Sequence, residues 1–287
     1  MPGNNVLILG AVAYAPKVVT IWEGFKEYFI KQGLPFDYIL YSNYETQVEH
    51  LLAGSIDIAW NSPLAWIRAE RLAKAQGKQV RAIAMRDTDC DLTSVLIVRD
   101  DSDIRTLADL KGKTVAVGAI DSPQASLIPL EFLRSQGLAP YTDFSVQRHN
   151  VLAGKHGDHV GGERHAATAL MANQAEAAAL IKGNYIAFTA EGLLPAGATR
   201  ILAETPVYDH CNFTVGPAVD EALVQRFHSL LMGMSYDDPE VRPLMELEGL
   251  EEWRDGRTEG YHLLDVAVDS EQFYDENGAI AVSDYRY

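Results

Sequence analysis

The sequence holds only two cysteines, Cys90 and Cys211, in 287 residues. Two thiols are too few for a disulfide framework, so the fold does not rest on a cross-linked scaffold. One bridge between them stays open beside the simpler expectation of two buried free thiols. No apolar run approaches the roughly 20 residues that a membrane-spanning helix needs, so no membrane insertion is expected. Basic residues are scarce too: 24 Lys and Arg stand against 40 Asp and Glu, a formal net charge of −16. Nucleic acid and anionic membrane surfaces both require a basic footprint, so neither is an expected partner. The first residues, Met1-Pro2-Gly3-Asn4-Asn5, carry no basic segment or cleavage site and run directly into Val6-Leu7-Ile8-Leu9. That predicts a cytoplasmic protein, or a periplasmic one whose signal peptide has been removed. Repeats, a phosphate loop, a Ser-His-Asp order and a paired-cysteine metal motif are also missing.

What is present is an alternation of strand and helix signals. Val6–Leu9 is an apolar strand. Val18–Gln32 is amphipathic, with Ile21, Trp22, Phe25, Tyr28 and Phe29 on one face and Gly33 as its stop. A strand at Phe36–Leu40, helices at Tyr44–Leu52 and Pro63–Ala75, and a strand at Arg81–Met85 follow. Beyond them lie a β-rich run at Ser94–Arg99, a strand at Val115–Val117 and a helix at Ser126–Gln136. A strand at Phe144–Gln147, a helix over Ala166–Met171, a small-residue strand at Ala177–Ile181 and a helix at Leu223–Met232 complete the series. This βαβα order indicates an α/β protein with largely parallel sheets. His149–His165, rich in glycine and histidine and without periodicity, is expected as a long loop.

The most informative segment is Ala53-Gly54-Ser55-Ile56-Asp57-Ile58-Ala59-Trp60-Asn61-Ser62-Pro63-Leu64-Ala65. Gly54 is placed to cap a helix, Ile56, Ile58 and Trp60 alternate as a strand does, and Asn61-Ser62-Pro63 breaks that strand at its carboxyl end. Ligands of open α/β sheets bind outside the carboxyl ends of strands.

Two further segments join this one: Leu107-Ala108-Asp109-Leu110-Lys111-Gly112-Lys113-Thr114-Val115-Ala116-Val117-Gly118, and Ala172-Asn173-Gln174-Ala175-Glu176-Ala177-Ala178-Ala179. In this order, with Asp237-Asp238-Pro239-Glu240 ahead of an apolar helix, the chain resembles the phosphate, phosphite and phosphonate (PhnD-like) branch of the type II solute-binding proteins. The resemblance implies a two-lobed periplasmic-binding-protein-like fold with two mixed sheets, flanking helices and a two-strand hinge. Residues 1–95 plus 213–287 would form lobe one and 96–212 lobe two, with hinge strands about 94–99 and 212–216. A small-molecule ligand would sit between the lobes, and a transporter or sensor would be the partner if the protein is exported. Carried onto matching positions, the resemblance marks Tyr14, Tyr44, Asn61 and Ser62 as ligand-binding residues.

Three departures shape the expected site. Where phosphonate binders place a hydroxyl-rich run at a helix start, this chain reads Asp121-Ser122-Pro123-Gln124-Ala125-Ser126. Pro123 has no N–H to offer. Two like charges about 4 Å apart at an effective dielectric near 20 repel by roughly 4 kcal/mol, so Asp121 disfavours a phosphonate. Asp121, Ser122 and Gln124 are still the expected ligand contacts of that loop, with a plain N-cap as the second reading of Asp121. The histidine-rich loop offers His156, His159 and His165 as candidate ligands of a divalent metal, though their spacing fits no established metal signature. His165 is also a ligand-contact candidate. Asp209-His210-Cys211 places an imidazole and a thiol together, and His210 joins the ligand-binding set. Residues adjacent on a strand point to opposite faces, so His210 is not expected to reach Cys211. Cys90, among acidic residues, is a poor nucleophile.

Two functions fit. The first is a PhnD-like binder of a small polar molecule other than a simple phosphonate. The second is a cytoplasmic enzyme on the same scaffold, a decarboxylase, lyase or hydrolase acting on a small carboxylated or aromatic substrate with or without a metal. His165, Asp121 and Cys211 are its candidate catalytic residues.

Overall fold

The structure, a computed structural model, describes residues 6–287; the expectation for Met1–Asn5 lies outside them. In chain order, β1 (Leu7–Val12), α1 (Lys17–Lys31), β2 (Phe36–Tyr41), α2 (Tyr44–Ala53), β3 (Ile58–Asn61), α3 (Pro63–Ala75) and β4 (Arg81–Arg86) come first. Then follow β5 (Ser94–Arg99), β6 (Thr114–Val117), α4 (Ile128–Ser135), β7 (Ser145–Arg148), α5 (Gly161–Met171), β8 (Ala177–Ile181), α6 (Lys182–Ala190) and β9 (Thr199–Glu204). The last elements are β10 (Asn212–Val215), α7 (Glu221–Met232), α8 (Arg242–Glu248), β11 (Trp253–Asp255) and α9 (His262–Ser270).

Contacts divide the chain into two units. The first holds the described residues through Cys90, with Asp209–Tyr261 and Tyr274–Ile280; the second holds Asp91–Tyr208, His262–Phe273 and Ala281–Tyr287. The first unit is built on the sheet β11-β4-β10-β3-β1-β2 and the second on β7-β6-β8-β5-β9.

In the first unit β1 pairs in parallel with β2 and β3, and β10 enters antiparallel between β3 and β4. The strands alternate between two buried faces. Leu7, Leu9, Ala11, Ile58, Trp60 and Phe213 point to the layer of α1, α7 and α8, whereas Ala59 and Val12 point to α2 and α3. Burial on both faces explains why these strands read as apolar runs and not as half-polar ones. The core on the first face is aromatic: Phe213 lies 4.6 Å from Trp60, 5.1 Å from Phe227 and 5.4 Å from Trp253, ring to ring. The helix end expected at Gly54 forms, and Asn43 and Ser62, which the sequence reading did not mark as caps, start two helices. Asn43 caps α2 by accepting from the Thr46 N–H at 2.8 Å, Gly54 ends it in the left-handed conformation, and Ser62 caps α3 by accepting from the Ala65 N–H at 3.1 Å.

The second unit repeats the plan. Val95, Ile97, Ala116, Ala178 and Leu180 face α5 and α6, and Leu96, Val98, Val115, Val117, Ala177 and Ala179 face α4. Small residues in β8 let the helices lie close to the sheet.

Several expected boundaries move. Ser94–Arg99 and Asn212–Val215, expected as hinge strands, are ladder strands inside the second and first units respectively. The C-terminal part does not all belong with the first unit: α9 packs against α4, and Glu271 just past it takes ion pairs from Arg134 at 2.6 Å and Arg148 at 3.0 Å. The loop expected to run to His165 gives way to α5 at Gly161. Helix α6 follows β8 with no side-chain cap and no turn residue before it, so nothing in its sequence announces its start.

Candidate functional site

β1, β2, β3 and β4 run in one direction, so their carboxyl ends share an edge of the first sheet. A buried line of polar side chains crosses that edge. Gln47 Nε2 donates to the Trp60 carbonyl and to Asn61 Oδ1, both at 2.9 Å. Asn61 Nδ2 donates to Thr214 Oγ1 at 2.9 Å, and Thr214 Oγ1 donates to Asn212 Oδ1 at 2.6 Å. Asn212 Nδ2 then donates to the Tyr261 hydroxyl oxygen at 2.9 Å. A backbone carbonyl can only accept, so Trp60 fixes the orientation of the Gln47 amide. Gln47 Oε1 is left buried, with no hydrogen-bond partner among the described residues.

Beside this line, Arg86 at the end of β4 grips Asp89 with two parallel bonds, Nε to Oδ2 at 2.5 Å and Nη2 to Oδ1 at 2.9 Å. Arg86 Nη1 also reaches Glu248, its carbonyl at 2.8 Å and Oε1 at 3.2 Å, and the guanidinium lies over the Trp60 ring. Burial alone would raise the Asp89 carboxyl, but Arg86 and the hydrogen bond from His210 bring it from 3.8 down to about 2. The His210 N–H donates to the Asp89 carbonyl at 2.8 Å, and its ring Nδ1 stands 3.4 Å from Asp89 Oδ1 and 3.1 Å from Cys211 Sγ. The imidazole therefore does reach the thiol. Residues 209–211 precede β10 and are not strand, so the alternation expected of a strand does not apply to them. His210 Nε2 is buried without a hydrogen-bond partner among the described residues. Nearby, Arg257 holds Asp209 with bonds of 2.7 and 2.5 Å. Burial pushes the Cys90 thiol up, with Asp209 adding to it, which agrees with its expected inertness.

Of the remaining expected contacts in this unit, Asn61 is fully buried in the polar line, Ser62 is the cap of α3, Tyr44 is buried in the layer of α2 and α3, and Tyr14 packs on the aromatic core.

In the second unit β6 runs parallel to β7 and β8, and the loops beyond their carboxyl ends carry the other candidates. Asp121 is fully buried, and its Oδ2 accepts the N–H of Gly154 at 2.5 Å, the N–H of His156 at 3.2 Å and the Tyr285 hydroxyl at 3.3 Å. It ties down the glycine-rich loop and is not the helix cap. That role belongs to Ser122, which accepts from the Ala125 N–H at 3.2 Å at the start of the turn Pro123–Leu127 leading into α4. The N–H groups of Ser126 and Leu127 close on the Ser122 carbonyl at 3.1 and 3.0 Å. Gln124 Nε2 donates to the Gly157 carbonyl at 2.9 Å, which leaves Oε1 buried and without a partner among the described residues. Gly157 sits at φ +80°, and a Cβ there would lie 2.3 Å from Ser122 Oγ. The glycine-rich loop is thus pressed directly onto the helix start where an anion would need room. Below it, Ser94 Oγ donates to the Gln124 carbonyl at 2.5 Å and lies 2.7 Å from the Tyr208 hydroxyl, whose ionisation burial pushes far up.

The histidines do not gather. His156 is fully buried, His159 Nδ1 accepts the Gly161 N–H at 3.2 Å, and His165 is exposed on α5 with its ring 6.1 Å from that of His149. Among the described residues, the one group that brings three potential metal-ligating side chains together is Asp89, His210 and Cys211, each offering an atom within 4.8 Å of the others. Arg86, Asp89, Gln47, Ser94, Tyr208 and Tyr261 escaped the sequence reading. The signal available for the first two was an arginine closing a strand three residues before an aspartate.

Among the described residues no helix is long and apolar enough to cross a membrane. Solved structures with a similar fold include PhnD1 from Prochlorococcus marinus in complex with methylphosphonate, at 17% identity and a TM-score of 0.70 over 94% of this chain and 99% of that one. The Xanthomonas citri protein XAC2383 bound to ATP matches at 16% identity and a TM-score of 0.71, covering 94% and 98%. The aliphatic sulphonate binding protein SsuA of Escherichia coli matches at 17% and 0.56, covering 93% and 79%. These likenesses establish the two-lobed type II α/β fold, and the enzyme alternative finds no support in them. The family model for the periplasmic substrate-binding proteins of phosphonate ABC transporters matches residues 11–261. The chain belongs to that family of PhnD-like solute-binding proteins, whose partners are a small-molecule ligand and a transporter.

Proposed function

We propose that this protein delivers to an ABC transporter, in the periplasm, a small polar solute that carries hydrogen-bond donors and is not a simple phosphonate. The observation that carries this reading is the filled helix start of the second unit. Helix N-termini hold anions because their N–H groups and dipole point outward. Here Pro123 has no N–H, Ala125, Ser126 and Leu127 spend theirs within the turn, and the Gly154–Gly157 backbone lies against Ser122 and Gln124. The Asp121 carboxylate beside it adds a charge of the wrong sign for a phosphonate.

The groups without protein partners support the second half of the proposal. Gln47 Oε1 and Gln124 Oε1 are buried acceptors, each locked in place because its Nε2 faces a backbone carbonyl. Leaving a buried acceptor unpaired costs about 1–3 kcal/mol, which a donor on the solute would recover. The half-buried Arg86 is already paired with Asp89 and Glu248, and the half-buried Arg257 with Asp209. A dianion would have to compete with those carboxylates. His210 Nε2 and Ser122 are further contact candidates on the same edges.

Isothermal titration with methylphosphonate, an alkanesulfonate, an aminoalkyl carboxylate and a diamine tests the reading. Binding of an amine-bearing solute at micromolar or tighter Kd, with methylphosphonate at least tenfold weaker, is the expected result. Tightest binding by methylphosphonate or the alkanesulfonate would refute it.

A further inference from the structure

We propose that Asp89, His210 and Cys211 form a binding site for a thiophilic divalent cation of the zinc type, with His210 contributing Nδ1, so that Nε2 is left to the solute. The three side chains offer a carboxylate oxygen, an imidazole nitrogen and a sulfur, a donor mixture that zinc accepts in tetrahedral sites. His210 Nδ1 lies 3.4 Å from Asp89 Oδ1, within the spacing such an ion imposes, and 3.1 Å from Cys211 Sγ, just below it, and all three atoms lie within 4.8 Å of one another. Bonds of about 2.0–2.3 Å to one tetrahedral centre put its ligands roughly 3.2–3.8 Å apart.

The surroundings hold the three ligands in place. Arg86 fixes the Asp89 carboxylate through two bonds and leaves Oδ1 lone-pair capacity toward His210. The His210 N–H to the Asp89 carbonyl, at 2.8 Å, clamps the two ligand-bearing segments together before any ion arrives. All three ligands are buried, and His210 is 8% exposed, so few waters compete for the ion. The charges also balance. Arg86 faces two carboxylates, Asp89 and Glu248, an excess of one negative charge. Binding a divalent ion with release of the Cys211 proton adds two positive charges and one negative, which leaves the cluster neutral. Tyr261, whose hydroxyl already accepts from Asn212, lies close enough to the cluster to feel both Asp89 and Cys211. A water or the free side of the coordination sphere would complete the fourth position.

The test uses the full chain, stripped with a chelator and titrated with Co²⁺ at neutral pH. One equivalent is expected to bind with a near-ultraviolet thiolate-to-cobalt charge-transfer band that one equivalent of Zn²⁺ abolishes. C211S should lose the band while C90S keeps it, and H210Q should weaken binding at least tenfold. Circular dichroism and melting of C211S and H210Q in chelator confirm that both are folded. No band in the folded parent, a band that survives C211S, or one lost in C90S would each overturn the assignment, the last by placing the thiolate elsewhere.

Discussion

Replacing Asp89 by asparagine keeps the shape of the side chain and removes its charge, which leaves the half-buried Arg86 with Glu248 as its remaining carboxylate. The Asp89 carboxyl titrates at about 2 in the folded protein against an ordinary 3.8. A drop of that size is worth roughly 2 kcal/mol of stability at neutral pH, at about 1.4 kcal/mol per pH unit. Leaving a half-buried guanidinium with one partner fewer adds to this, so D89N should lose about 2–4 kcal/mol at pH 7. Because the folded value is the lower one, the contribution is fully present above 3.8 and is lost as pH falls through about 2. The gap between parent and D89N should therefore be about 1 kcal/mol narrower at pH 3 than at pH 7. Urea unfolding at several pH values, with chelator present so that no ion contributes, measures both quantities. A cost below about 0.5 kcal/mol at pH 7, the level of an exposed ion pair, or a gap that does not change with pH would refute the reasoning.

Other consequences follow from the same geometry. Gly157→Ala places a Cβ against Ser122 Oγ and Gln124 Nε2 at a positive φ, so it should cost about 1–3 kcal/mol in thermal unfolding. Asp121→Ala removes the acceptor of two loop N–H groups and should raise amide exchange and proteolysis at residues 150–160 ahead of the rest of the second unit. Thr214→Val cuts the polar line between Asn61 and Asn212 and should destabilise by about 1–3 kcal/mol in chemical unfolding, because both amides lose a buried partner. Phe213→Ala opens a cavity among Trp60, Phe227 and Trp253 and should cost about 3–5 kcal/mol.

Much of the fold could be read from local chemistry. Asn43, Gly54 and Ser62 punctuate the chain in their standard roles, and the alternation of Ile58, Ala59 and Trp60 between two faces is a period-2 signal. Helix α6 could not be read, because it starts on a strand residue with no cap. The site was less legible for a different reason. Asn61 and Ser62 stand at the strand end as expected, but their partners Gln47, Thr214 and Asn212 are chosen by the tertiary structure, up to 153 residues away in the chain. Asp121, offered as a cap in one of its two readings, is not one: Ser122 is. The partners of Asp121 lie in a loop 33 and 35 residues further on, and no local rule names them. The contact between His210 and Cys211 was missed because the residues were assigned to a strand that begins one residue later.

The insertion of β10 between β3 and β4 has a consequence for biosynthesis. When the ribosome has made residues through Arg86, β1, β2, β3 and β4 exist, but the slot between the last two is vacant until Asn212–Val215 emerges. At the usual pace of about 5–20 residues per second, the intervening stretch of well over a hundred residues takes on the order of ten seconds. Throughout that interval the edges of β3 and β4 and the face that Phe213 later covers remain open to other chains. A nascent chain stalled anywhere before Asn212 should therefore be the form of this protein that chaperones capture.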